Sequence, residues 1–277
     1  MDNLEKKILQ LKWLQHTQIE YYCSLQKSSG KLWAKQIQEK LNKHNLPEID
    51  NIVTQTEIKN VIKEQAMAQT TIEEIDASPV STARKLADEV KTLAELKETL
   101  QQFTGCSLKK FATNTVIAEG VSSAKILFIG EAPGANEDKY GIPFCGESGK
   151  LLDNMLASIG ISRKSNAYIT NTVFWRPPGN RRPTQEEIDI CRPFVEKHIA
   201  LINPKLIVMV GSTAATSLLG NHDGISKIRK NNYLYNNRYL TKPIKTTAIF
   251  HPAYLLRQPM QKKTTWYDLL GIQKLLT

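Results

Sequence analysis

Four short apolar runs set the rhythm of the C-terminal part of the chain: Lys125–Ile129, Ala167–Phe174, Leu206–Val210 and Lys245–Phe250. They are rich in β-branched and aromatic residues and are bounded by glycine, proline or polar clusters, which predicts strands buried on both faces. Between them the apolar spacing changes to three and four residues. Leu151, Leu152, Met155, Leu156 and Ile159 predict a helix over about 149–159. Thr184-Gln185-Glu186-Glu187 reads as a capping box, so a second helix runs from there to about Ile202. A short third helix follows Gly211-Ser212 and ends near Leu219. Strands that alternate with helices predict an α/β fold, a three-layer α/β/α sandwich around a central four-stranded parallel sheet.

Upstream, Ala83, Leu86, Val90, Leu93, Leu96, Leu100 and Phe103 predict one helix over about 81–103, with Ser81 or Thr82 as its N-cap and Gly105 as its stop. Residues 2–27 carry Leu4, Ile8, Leu11, Leu14, Ile19 and Tyr22 near a helical period, which predicts an N-terminal helical extension. Trp13, Tyr21 and Tyr22 give it an aromatic face, for a protein partner or for packing against the rest of the chain. Residues 31–80 are polar and interrupted by Pro47 and Pro79, the pattern of a mobile linker. The expected division is therefore 1–80, extension and linker, and 81–277, one α/β domain.

The stretch Ala124–Asn154 holds the candidate chemistry. A strand ends at Gly130, and Pro133, Gly134, Gly141, Pro143, Gly146 and Gly149 then break any regular structure until the next helix. Such a loop lies at the carboxyl end of a sheet strand, where open α/β folds bind ligands. Gly130-Glu131-Ala132-Pro133-Gly134 is not a dinucleotide fingerprint. Gly146-Glu147-Ser148-Gly149-Lys150 fails as a P-loop, because Phe144 stands at the first glycine and Leu151 at the Mg²⁺-binding hydroxyl. No Gly-x-Ser-x-Gly elbow is present either.

Charge narrows the class of partner. Of the formal net +10 over 277 residues, most lies after residue 200, where 11 Lys and Arg face only Asp223 and Asp268. A basic surface of this kind attracts polyanions through counterion release. No apolar run reaches membrane-spanning length, Met1–Lys7 lacks the core of a signal peptide, and the four cysteines form no disulfide framework. A cytoplasmic protein with no membrane association is expected.

Several motifs in order resemble the uracil-DNA glycosylase superfamily, and specifically its family 4. They are Gly130-Glu131-Ala132-Pro133-Gly134, Glu137-Asp138, Pro143-Phe144-Cys145-Gly146, Thr170-Asn171, Arg176-Pro177-Pro178-Gly179-Asn180-Arg181 and His251-Pro252-Ala253-Tyr254-Leu255-Leu256-Arg257. The resemblance covers roughly residues 100–277. It implies a DNA repair enzyme that flips uracil out of single- or double-stranded DNA and hydrolyses its N-glycosidic bond.

By the same resemblance, His251 donates toward O2 of the departing base, helped by backbone N–H groups of residues 130–134. Asn171 binds N3–H and O4 together, as one amide can. Phe144 stacks on the base, and Glu137 screens its C5 edge against thymine. Ala132 stands where the best-known branch has a water-orienting Asp, so Glu131 or Asp138 is left to position water. Leu255, Leu256 and Arg257 are candidates to enter the minor groove, and Arg229 and Lys230 belong to the basic surface expected to contact DNA.

Family 4 enzymes typically carry a [4Fe-4S] cluster on four cysteines. Cys106 and Cys191 match two of those positions, while Lys109 and Trp175 occupy the other two. Since such clusters take four thiolates, the expectation is that no cofactor is bound, with Trp175 filling the cluster's volume. Two other readings stay open at this level: a non-catalytic DNA-binding or scaffold protein that reuses the fold, and a glycosylase for thymine or a deaminated purine.

Overall fold

The structure is a computed structural model and describes residues 78–276. The expected helix over 2–27 and nearly all of the polar stretch 31–80 lie outside the described residues. Among those described, no helix is long and apolar enough to cross a membrane.

The helix expected over 81–103 is two helices, α1 (Pro79–Glu89) and α2 (Leu93–Gln102). The cap of α1 is Ser78, not Ser81 or Thr82, with Pro79 at the first helical position, where its missing N–H costs nothing. The chain breaks at Val90, whose backbone is extended, and Thr92 restarts it by accepting the N–H of Glu95. The apolar period runs through this break, because both helices bury one face against the same core; periodicity alone does not reveal it.

Six strands follow: β1 (Ala118–Gly120), β2 (Ile126–Gly130), β3 (Ala167–Asn171), β4 (Leu206–Val210), β5 (Tyr233–Tyr235) and β6 (Ile244–Ile249). Their spatial order is β1-β3-β2-β4-β6-β5. The inner four are the parallel strands read from the sequence, and every residue of β2, β3 and β4 is buried. The two short antiparallel edges, β1 and β5, are only three residues each and were not expected. β3 stops at Asn171, short of Phe174, because Thr172 turns away: its N–H donates to the Gly130 carbonyl and its hydroxyl to the Glu131 carbonyl.

Strand side chains alternate between two cores. Leu127, Ile129, Ile207 and Met209 join α1, α2 and α5 (Gln185–Ile202) on one face. Ile126, Phe128, Val208 and Val210 join α4 (Glu147–Ala157) and α9 (Gln261–Leu276) on the other. The expected three layers are present. α3 (Ala135–Tyr140) and α4 follow β2, α6 (Ser212–Leu219) follows β4, α7 (Ile225–Ile228) precedes β5, and α8 (Pro252–Arg257) follows β6. The segments leaving β2, β3, β4 and β6 all emerge at the carboxyl edge of the parallel sheet.

Candidate functional site

Parallel pairing sets Gly130, the last residue of β2, opposite Asn171, the last residue of β3. A Cβ on Gly130 would lie 2.4 Å from Asn171 Oδ1 and 2.5 Å from the Phe144 ring, so only glycine lets these two side chains meet over the strand end. The Phe144 and His251 rings lie 5.6 Å apart, tilted by 32°. Phe144, Asn171 and His251, far apart in sequence, thus line one spot.

Asn171 is 1% exposed, and its Oδ1 has no hydrogen-bond partner. A buried acceptor left unpaired costs about 1–3 kcal/mol, so this atom awaits a donor from a ligand. His251 is the N-cap of α8, and its Nδ1 accepts the N–H of Ala253 at 3.2 Å. That bond fixes the tautomer: the ring proton sits on Nε2, which is free to donate. Burial, aided by the nearby Arg257 charge, pushes the His251 pKa down to about 4, so the imidazole is neutral at pH 7.

The loop between β2 and α4 is sewn together by Glu137. One of its carboxylate oxygens accepts the N–H groups of Cys145 and Gly146, both at 2.9 Å, and the other that of Gly134 at 3.1 Å. Since Pro133 has no N–H and that of Gly134 goes to Glu137, the backbone amides left to donate at the turn are those of Glu131 and Ala132. Glu131 holds one carboxylate oxygen against the hydroxyl of Thr213, at the start of α6.

Three expected roles do not survive the geometry. Asp138 is buried, and its Oδ1 accepts the N–H groups of Thr113 and Asn114 at 2.8 and 3.0 Å, so it ties α3 to an upstream loop and does not face water. Leu255 is 0% exposed, on the buried side of α8, whereas Leu256 is 45% exposed and Arg257 is also exposed; only the latter two stand at the surface. Arg229 is bound through two nitrogens to Asp268 at 2.6 and 2.7 Å and lies over the Phe250 ring, which leaves no charge to offer a phosphate. Lys230 beside it is exposed.

Two residues that touch the site were not legible in the sequence. Thr213 lies in an ordinary small-residue helix start. Arg163 is a lone arginine in a turn, yet its guanidinium donates to the carbonyls of Pro143 at 2.7 Å and Phe144 at 2.9 Å.

Residues 117–270 match the uracil DNA glycosylase superfamily. Similar proteins include the type-4 uracil-DNA glycosylase of Sulfurisphaera tokodaii, 38% identical over 66% of this chain and 84% of that one. That of Archaeoglobus fulgidus is 37% identical over 67% of this chain and 94% of its own. That of Thermotoga maritima is 41% identical over 58% and 82% respectively.

These relatives overturn the expectation that no cofactor is bound. Type-4 enzymes are the family that carries a [4Fe-4S] cluster, so kinship with them points to the cluster and not to its absence. The four positions in this chain have the following chemistry. Cys106 and Cys191 are buried, and burial raises the Cys191 thiol well above its usual range. The Lys109 ammonium donates to the Phe103 carbonyl at 2.8 Å and to that of Gln101, and the Trp175 indole N–H donates to Thr115 Oγ1 at 3.1 Å. Two thiols do not by themselves match a four-thiolate cage.

Proposed function

The chain belongs to the uracil DNA glycosylase superfamily, and from that premise we propose how it removes uracil from DNA. It is a DNA repair hydrolase acting on N-glycosyl bonds, of the type-4 kind named for its relatives. The observation that carries the reading is the meeting of three unlike groups at one strand end: an aromatic face, an unpaired amide oxygen and a neutral imidazole with its proton on the outer nitrogen.

The flipped uracil stacks on Phe144, and Asn171 accepts its N3–H through the unpaired Oδ1 while its NH₂ donates to O4. Cytosine has no N3–H and carries an amine in place of O4, so it leaves the same amide mismatched. As the C1′–N1 bond breaks, its electron pair moves onto N1 and O2. His251 Nε2–H and the amides of Glu131 and Ala132 are the donors that stabilise this anion. A neutral donor suits the task, because its proton stays in place while charge builds. Water adds to C1′ and the proton it gives up ends on the uracil anion, leaving an abasic deoxyribose and free uracil.

Glu131, oriented by Thr213, is the carboxylate assigned to position that water, in place of Asp138. Glu137 acts on the base edge indirectly, by fixing the loop that bears Phe144. Leu256 and Arg257 are the residues assigned to the vacated stack, and exposed Lys230 to the phosphates.

Release assays on oligonucleotides carrying a single U, T or hypoxanthine test the reading. Uracil is released and the other two are not, and Asn171→Ala and His251→Ala abolish most of the release while still binding DNA. Tight DNA binding without release of any base would favour a scaffold instead.

A further inference from the structure

Arg163 lies in the connection between α4 and β3 and is only 8% exposed. Four of its five N–H donors are engaged. Nε donates to Asp153 of α4 at 2.9 Å, one terminal nitrogen to Glu119 of β1 at 2.8 Å and to the Pro143 carbonyl at 2.7 Å, and the other to the Phe144 carbonyl at 2.9 Å. Asp153 and Glu119 are both about half exposed, so the guanidinium is balanced by carboxylates that keep much of their own hydration.

The two carbonyls it holds belong to the base platform itself. Phe144 has φ of +51°, a conformation that bulky side chains avoid and that persists only where surroundings enforce it. Enforcement comes from two sides. On one, Gly149 packs so closely that a Cβ there would sit 1.8 Å from the Phe144 oxygen. On the other stands Arg163. No other side chain among the described residues donates to the Phe144 carbonyl. Lysine, with a single ammonium, cannot span two carbonyls and two carboxylates on different elements.

Resting on the reading of this pocket as the uracil site, we propose that Arg163 is a positioning residue: it clamps the 143–144 backbone so that the Phe144 ring stands ready for the flipped base. The clamp ties that loop to the sheet edge through Glu119 and to α4 through Asp153. A platform fixed before the base arrives saves ordering it on capture. Loosening it therefore weakens base capture more than bond cleavage.

The test is a double-mutant cycle on a uracil-containing oligonucleotide, with Arg163→Gln, Phe144→Ala and the pair, and with Arg163→Lys as the variant that keeps the charge. Arg163→Gln and Arg163→Lys lower kcat/KM by about 10- to 100-fold, the scale of one lost base–aromatic contact, mainly through KM. Affinity for uracil-free DNA of the same sequence does not change. The double variant is no worse than Phe144→Ala alone.

A second readout is independent of activity. In Arg163→Lys, hydrogen exchange of the Cys145 and Gly146 amides quickens while that of β2 and β4 stays slow. Losses that multiply in the double variant, wild-type kcat/KM in Arg163→Lys, or unchanged exchange at 145–146 would each overturn the clamp. Absence of uracil release by the wild type would sink the functional reading instead, and the exchange measurement would still decide the clamp.

Discussion

Two histidines share one electrostatic signature and differ in everything else. Burial holds both His251 and His198 near a pKa of about 4, so both are neutral at pH 7. His198, on α5, faces the Tyr168 hydroxyl with Nε2 at 3.0 Å, and its Nδ1 is sealed among buried atoms without a partner. His251 caps α8 with Nδ1 and is left with Nε2–H for the pocket. A perturbed pKa marks burial in both cases; what separates the two rings is what the second ring nitrogen can reach.

The sharpest way to break this comparison is to remove each ring in turn. His251→Ala should lower kcat for uracil release by about 10²–10³-fold, as expected when one donor to a developing anion is lost. His198→Gln should leave kcat within about twofold of wild type, because Gln can still bond the Tyr168 hydroxyl that His198 faces. Single-turnover kinetics on one oligonucleotide measures both. Equal losses in the two variants would erase the distinction.

Asn171 Oδ1 and His198 Nδ1 are the two buried side-chain polar atoms without a partner among the described residues, and the same contrast applies to them. The first lies at a strand end against Gly130 and Phe144, where a ligand donor can satisfy it. Asn171→Ala should cost about 100-fold in kcat/KM for uracil, since the base would lose its paired hydrogen bonds to the amide. Asn171→Asp keeps the acceptor and loses the donor to O4, and should fall between wild type and Ala. Steady-state kinetics on U-containing DNA orders the three; an Asp variant as slow as Ala would mean that the donor carries the recognition.

This contrast also separates what the chain discloses from what it hides. β2, β4 and the helix started by Thr184 were legible because buried parallel strands are unbroken apolar runs and a capping box is a local signal. Gly130, Phe144, Asn171 and His251 were legible only as motif members, and their meeting depends on the register that sets Gly130 beside Asn171. The burial of Leu255, the pairing of Arg229 with Asp268 and the grip of Arg163 on two carbonyls were not legible. Each is a long-range contact between polar or apolar groups that look ordinary in their own segments. Asp138 misled for the same reason: a loop carboxylate looks the same whether it meets water or two backbone amides 24 and 25 residues away.

The smallest effect concerns stability and uses His198 alone. Its folded pKa, about 4, lies below the value of about 6.5 in an unfolded chain, so between these limits the unfolded state binds more protons. Stability is therefore fully present above pH 6.5 and is lost as pH falls toward 4. For a ring this deeply buried, the loss between pH 7 and pH 5 should be about 2 kcal/mol. His198→Gln removes the titrating group and keeps a hydrogen-bonding partner for Tyr168, so its unfolding free energy should depend less on pH by about that amount. His251→Ala removes the other depressed histidine and should flatten the same window, but with kcat lost as well. Urea denaturation at pH 7 and pH 5 reads the slopes directly; an unchanged slope in His198→Gln would mean that His198 is already protonated or already solvated in the folded protein, and that the two rings are less alike than their shared burial implies.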